Sequence, residues 1–189
     1  MKTGCRPGGL DIEAVKNNGP ARIHGFPPLA GPGARILILG SMPSRESLAR
    51  GQYYAHPRNA FWPIISDLLG IETADYERRA EAVTRHGIAI WDVLRDCIRP
   101  GSLDSAIEEK TAASNNFQRF FAQHKAIGHV FFNGAKAESL YLRRVLPGLE
   151  PRAAGLSCTR LPSTSPANAG MDYQAKKMAW GKILERGLE

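Results

Sequence analysis

Four short apolar runs set the limits on what this chain can fold into. Ile36–Leu39, Gly87–Trp91, His129–Phe132 and Leu156–Leu161 recur along the sequence, and within them apolar residues follow one another instead of alternating strictly with polar ones. A strand with one wet face alternates, whereas a continuous run fits a strand buried on both faces, the condition of a parallel sheet covered by helices. The segments between the runs carry helical signals: Asn59–Leu69, Thr73–His86, Ser114–His124 and Ala135–Leu146, with Asp172–Arg186 after the last run. Gly70, Gly87, Gly128 and Gly148 stand where helix C-termini favour a residue without a Cβ. Strand alternating with helix predicts an α/β fold, a three-layer α/β/α sandwich around a central four-stranded, mainly parallel sheet.

A chain of 189 residues suffices for one such domain without disulfide or metal staples. Residues 1–34, rich in Gly and Pro and ending in GFPPLAGPGA, read as an irregular N-terminal arm, and residues 35–189 as the single domain. Cys5, Cys97 and Cys158 are odd in number, widely spaced and without a CxxC pair, so they encode neither a disulfide framework nor a zinc site. No metal and no other cofactor is expected. No apolar run approaches the roughly 20 residues that cross a bilayer, and Met1–Leu10 lacks the apolar stretch of a secretory signal. A cytoplasmic protein with no membrane partner is the expectation.

The net charge of +7 is unevenly distributed. Residues 1–60 carry +5, residues 61–140 carry −2 and residues 141–189 carry +4. A polyanion such as nucleic acid suits basic ends that folding brings together, because phosphate contacts release counterions. The same excess also fits mere solubility.

In an open parallel sheet, ligands bind beyond the carboxyl ends of the strands. After the first run comes Gly40-Ser41-Met42-Pro43-Ser44, too short and too poor in glycine for GxGxxG or a P-loop. Its backbone N–H groups suit a carbonyl oxygen or an anion. The block from Gln52 to Trp62, QYYAHPRNAFW, then supplies aromatic faces beside polar groups, a composition suited to a planar heterocycle. Phe61 and Trp62 read equally as core residues of the next helix, with Asn59 as its N-cap. After the last run, Leu161-Pro162-Ser163-Thr164-Ser165-Pro166-Ala167-Asn168 places small hydroxyl residues between prolines. It reads either as a rigid edge that approaches a phosphodiester backbone or as a simple turn.

GSMPS and YYAHPRNAFW, followed about 100 residues later by LPSTSPAN, resemble the uracil-DNA glycosylase superfamily. AHPRNAFW is similar to the mismatch-specific uracil/thymine glycosylases, and GSMPS with LPSTSPAN resembles the hypoxanthine-DNA (deoxyinosine) glycosylase branch; together the resemblance spans residues 35–187. It implies a monofunctional enzyme of DNA base-excision repair, acting as a monomer on DNA that contains a deaminated base. The lesion is flipped out and its N-glycosidic bond hydrolysed, leaving an abasic site.

The resemblance also implies roles. The Ser41 backbone faces the base, and position 42 holds the water-activating Asp or Asn of other branches. Here that residue is Met42, whose thioether cannot deprotonate water. Asn59 then becomes the leading candidate for contacting the base or placing the water. Tyr54 is the stacking aromatic, with Phe61 beside it. The base-edge reader falls at Trp91 or Asp92; Asp92 is favoured because a carboxylate accepts from a lactam N–H, although an N-cap role is also open. Ser163 occupies the position of the base-oxygen contact. Ala167 stands where relatives insert a leucine wedge, so a poorly paired base is the easier one to extrude. Ser44, Ser163 and Ser165 suit a phosphate clamp. Arg58 and Asn168 complete the DNA-facing set, with Arg45 and Lys176 or Lys177 as longer-range charges. Rival readings are a uracil or alkylated-base substrate, a catalytically silent DNA-binding relative and an enzyme of free nucleosides.

Overall fold

The computed structural model describes residues 21–187. The chain runs through β1 (Arg22–His24), β2 (Ile36–Gly40), α1 (Arg45–Arg50), α2 (Phe61–Leu69), α3 (Tyr76–Arg85), β3 (Ile88–Asp92) and β4 (Leu94–Ile98). It continues through β5 (Ala113–Ser114), α4 (Phe117–Gln123), β6 (His129–Asn133), α5 (Ala135–Arg144), α6 (Pro151–Ala154), β7 (Ser157–Leu161), α7 (Tyr173–Trp180) and α8 (Lys182–Gly187). The four apolar runs become β2, β3, β6 and β7, which pair in the order β3-β2-β6-β7, parallel throughout. Ile36, Leu37, Ile38 and Leu39 in the central β2 are at most 1% exposed, so the continuous run is buried on both faces as its pattern requires. Each such aliphatic side chain taken from water contributes about 1.5–3 kcal/mol.

Helices cover both faces. Leu39 lies level with Trp91 and Phe132 across the sheet. Trp91 packs on Phe117 and Phe120 of α4, and Phe132 packs on Tyr141 of α5. Elsewhere α8 packs on β2 and β6, and Trp180 of α7 meets Phe61 of α2 edge to face. This is the expected three-layer α/β/α sandwich. The expected last helix is divided at Gly181 into α7 and α8.

Two features depart from the sequence reading. A second, antiparallel sheet, β1-β4-β5, stands beside the main one. Part of the presumed irregular arm belongs to it, since Arg22–His24 is β1 and Leu29 bridges Ile90. The cause is long-range: buried Asp96 of β4 pairs with Arg22 and Arg95, while Ile23, Phe26 and Leu29 pack against the core. Residues 1–20 of that arm lie outside the described residues. The second departure is α1, capped at its start by Ser44 and at its end by left-handed Gly51.

The register positions the site. Gly40 pairs with Asp92, and Asn133 with Leu161, so β2, β3, β6 and β7 end along one edge of the sheet. Among the described residues, no helix is long and apolar enough to cross a membrane.

Candidate active site

A cavity of about 90 Å³ opens at that edge, lined by both proline-containing loops, by Tyr54 and Asn59, and by the strand-end residues Asp92 and Asn133. The first loop is held from behind. Arg99, 3% exposed, donates to the carbonyls of Met42, Pro43 and Gly101. Ser41 Oγ donates to Asp104 Oδ1 at 2.6 Å. The Met42 side chain is 6% exposed and joins the core.

Tyr53 is locked in the core. Its hydroxyl donates to the Pro27 carbonyl at 3.1 Å, and its own carbonyl accepts from Trp62 Nε1 at 2.7 Å. The chain then turns through Tyr54, a non-glycine residue at φ 55°, and such strain is characteristically kept at functional sites. The turn lays the Tyr54 ring on Phe61, with centroids 3.8 Å apart and planes 21° from parallel. Phe61 itself is 0% exposed. It cannot touch a base, because Tyr54 covers it; its part is to back the Tyr54 ring. The Tyr54 hydroxyl is buried without a hydrogen-bond partner among the described residues, although the Asn133 amide, which holds Thr164, lies near enough to oppose the rise of its pKa. Burial and the neighbouring Asp92 hold the phenol above its ordinary range, so it remains an O–H donor.

Asn59 lies one residue before the N-cap of α2, which is Ala60, so the expected N-cap position is off by one. Its Oδ1 accepts from the Phe61 N–H at 2.9 Å, satisfying an orphan donor at the start of α2, while its side chain lines the cavity. Asp92 ends β3 at 3% exposure, and its Oδ2 has no hydrogen-bond partner among the described residues. The chain beyond it enters β4 rather than a helix, so the N-cap alternative falls. Burial first, and the charge of Asp104 second, push its carboxyl up to about 8 against a weaker opposing effect of Arg99.

The second loop is fastened to the sheet by Asn133. Its Nδ2 donates to Thr164 Oγ1 at 2.8 Å, and its Oδ1 accepts from the Thr164 N–H at 2.9 Å. The Thr164 carbonyl accepts from the Ala60 N–H at 3.0 Å, linking this loop to the aromatic block. Gly134, at φ 96°, lets the loop close: a Cβ there would lie 2.9 Å from Ser163 Cβ. Ser163 and Ser165 line the cavity, and each Oγ accepts from a loop N–H, leaving its own proton to donate. Ser44 also lines the cavity, with its hydroxyl turned to Ser47 in the α1 cap.

Some residues expected to face DNA are committed elsewhere. Asn168 Nδ2 donates to the Ser163 carbonyl, and its own carbonyl accepts from Lys176 Nζ at 2.7 Å. Asn168 and the 6%-exposed Lys176 therefore brace the loop from within. Lys177 is paired with Asp67 at 2.7 Å. Arg45, Arg58 and Ala167 are exposed. Asp104, Asn133 and Arg99 were not singled out from sequence. Asn133 follows the HVFF run, and the rule that ligands gather beyond strand ends marks it; Asp104 and Arg99 carry no such signal.

The fold and this edge define an α/β protein with a narrow polar cavity beyond its strand ends, Tyr53 and Tyr54 being among its lining residues. The family model of the uracil DNA glycosylase superfamily matches residues 27–184. Two curated relatives are both called hypoxanthine DNA glycosylase. One, from Methanosarcina barkeri, is 32% identical over 167 residues, covering 86% of this chain and 98% of the relative. The other, from Methanosarcina acetivorans, is 34% identical over 149 residues, covering 77% and 87%. A solution NMR structure of a candidate uracil DNA glycosylase from Methanosarcina acetivorans superposes with a TM-score of 0.69 at 29% identity, covering 86% of this chain and 99% of that one. The chain belongs to the uracil DNA glycosylase superfamily. Its class is that of DNA glycosylases, hydrolases of N-glycosyl bonds.

Proposed function

We propose that this glycosylase removes hypoxanthine, the deaminated base of deoxyinosine, from DNA. The observation that carries the reading is Asp92: a buried carboxyl at the cavity with one oxygen unpartnered. An unsatisfied buried polar group is costly unless a ligand completes it, and the lactam N–H of hypoxanthine does so. The names of the two Methanosarcina relatives support the same substrate.

The flipped base lies against the Tyr54 ring with its edge toward Asp92. Backbone N–H groups at Ser41 and Met42, with the Asn59 amide, stabilise the negative charge that grows on the leaving base as the sugar becomes oxocarbenium-like. Ser163 and Ser165, and Ser44 once its hydroxyl turns, hold the flanking phosphates. Ala167 offers only a methyl group to the vacated stack, which favours a poorly paired lesion. The enzyme acts as a monomer and leaves an abasic site.

The test is incubation with duplexes containing inosine, uracil or normal bases, followed by alkaline cleavage of abasic sites. Strand breaks at inosine are expected. Breaks at uracil alone would replace the substrate by the one attached to the Methanosarcina acetivorans structure, and the absence of breaks at any lesion would remove the reading.

A further inference from the structure

Met42 leaves the attacking water without a base, and the cavity holds a carboxylate with no part in the scheme above. Asp104 begins a single 3-10 turn, Asp104–Ala106, in the connection that follows β4. It is half-buried and lines the same cavity as Ser41, Tyr54, Asn59 and Asp92. Its Oδ1 accepts from Ser41 Oγ at 2.6 Å, and among the described residues its Oδ2 accepts from nothing. The segment that carries it is tied to the first loop twice, through the Arg99 guanidinium and through Ser102 Oγ, which accepts from the Arg45 N–H at 3.1 Å. A carboxylate thus reaches the Ser41 hydroxyl, beside Met42, from a distant loop instead of from the strand end itself.

We propose that Asp104 is the general base of the hydrolysis, holding and deprotonating the water that position 42 cannot activate. The inference rests on the proposed N-glycosidic cleavage. The water oxygen bonds to C1′ as the bond from C1′ to the base nitrogen breaks, and that bond's electron pair leaves with the base, which takes a proton from solvent. The water's proton passes to Oδ2 of Asp104 and then to bulk water.

The other cavity groups fit the role poorly. Asp92 holds its own proton to about pH 8, and the Asn59 amide can place a water but not accept its proton. The surroundings of Asp104 are mixed. Burial raises its carboxyl above the ordinary range, while the Ser41 hydroxyl on the β2 loop, Arg99 beyond β4 and Lys136 of α5 oppose the rise. Asp92 at the end of β3 and the Tyr54 phenol face it too.

The test compares wild type, Asp104→Asn and Ser41→Ala on an inosine duplex, measuring single-turnover rate against pH together with affinity for the same duplex carrying an uncleavable abasic analogue. Asp104→Asn keeps the acceptor for Ser41, so affinity and thermal unfolding are expected to stay within about threefold and a few degrees of wild type. Its rate is expected to fall about 100-fold or more at neutral pH, and the acid limb of the wild-type profile to vanish. Ser41→Ala, which removes a hydrogen bond to the charged carboxylate, is expected to move that limb to higher pH. An Asp104→Asn protein that cuts at the wild-type rate with an unchanged profile overturns the assignment. So does one that loses rate and affinity together while keeping the acid limb, which would make Asp104 a support of the loop. A wild type that cuts no lesion removes the functional reading, and this inference with it.

Discussion

Gly40 and Asp92 face each other at the ends of β2 and β3, and a Cβ on Gly40 would lie 2.3 Å from Asp92 Oδ1 and 3.2 Å from the Tyr54 hydroxyl. The missing side chain is what allows the carboxyl to fold over the neighbouring strand end and into the cavity. Gly40→Ala forces the carboxylate or the strand to move. A loss of about 1–3 kcal/mol is expected from overpacking, and base excision should fall at least about tenfold through misplacement of the carboxyl. Thermal unfolding and inosine cleavage measure the two effects separately.

Asp92 makes stability depend on pH with a definite sign. Its carboxyl is raised in the fold, to about 8 from an ordinary 3.8, so between those values the folded protein binds more protons than the unfolded chain. Its contribution is fully present below pH 3.8 and is lost as pH rises through 8. Asp92→Asn removes the ionisation and keeps the shape. The difference in unfolding free energy, variant minus wild type, is expected to grow from pH 5 to pH 9 by at least about 1.4 kcal/mol, the equivalent of one pK unit. Denaturant melts at matched salt would show it, and a difference independent of pH would refute the buried ionisation.

Strands β2, β3 and β6 were legible because burial on both faces leaves a mark in the residues themselves, ILIL and HVFF being the clearest, whereas β7, last in the strand order, is largely exposed and its LSCTRL run does not carry that mark. Strands β1 and β4 were not legible, because RIH and LRDCI are mixed in polarity and gain their places through the pairing of Arg22 and Arg95 with Asp96. The site divided in the same way. Residues at strand ends or on the loops that follow them, such as Asp92, Ser41 and Ser163, could be placed from topology. Phe61 was assigned a base contact because composition cannot say which aromatic of a block covers the other. Asp104 lies in the unpatterned stretch SLDSA and reaches the cavity only by a three-dimensional contact with Ser41.

Asn59 offers a way to separate scaffold from chemistry. Its Oδ1 caps the Phe61 N–H, and its amide nitrogen donates no hydrogen bond among the described residues. Asn59→Asp retains an oxygen for the cap and replaces the donor with an anion beside the leaving base. Asn59→Ala loses both. The alanine variant is expected to be less stable by about 1 kcal/mol and the aspartate variant to be near wild type, whereas both should lose about tenfold or more in single-turnover cleavage. An aspartate variant with full activity would remove Asn59 from the stabilisation of the leaving base.

The Asn133–Thr164 pair predicts a defect in the second loop. Thr164 is 1% exposed, and its N–H and hydroxyl are both satisfied by one side chain. Asn133→Ala strands a buried donor, at a cost of about 1–3 kcal/mol. Because the loop carries Ser163 and Ser165, affinity for uncleavable lesion DNA should fall together with stability. Thr164→Val keeps the backbone bond and should show the smaller loss in both measurements.

The charge imbalance resolves once pairing is known. Much of the C-terminal excess is already answered inside the protein: Lys177 by Asp67, Arg160 by Glu138, and Arg143 by Glu109. Arg58, on the exposed turn beside the cavity-lining Asn59, has no ion-pair partner among the described residues. A cation that meets a phosphate only on binding releases a counterion, whereas one already neutralised by a carboxylate adds little. Arg58→Ala is therefore expected to weaken binding to lesion and normal duplexes alike and to reduce the slope of log affinity against log salt by about one. Lys177→Ala should leave that slope unchanged. Salt titrations of the two variants, followed by fluorescence anisotropy, decide the point, and equal slopes for Arg58→Ala and wild type would move the phosphate contacts off this face.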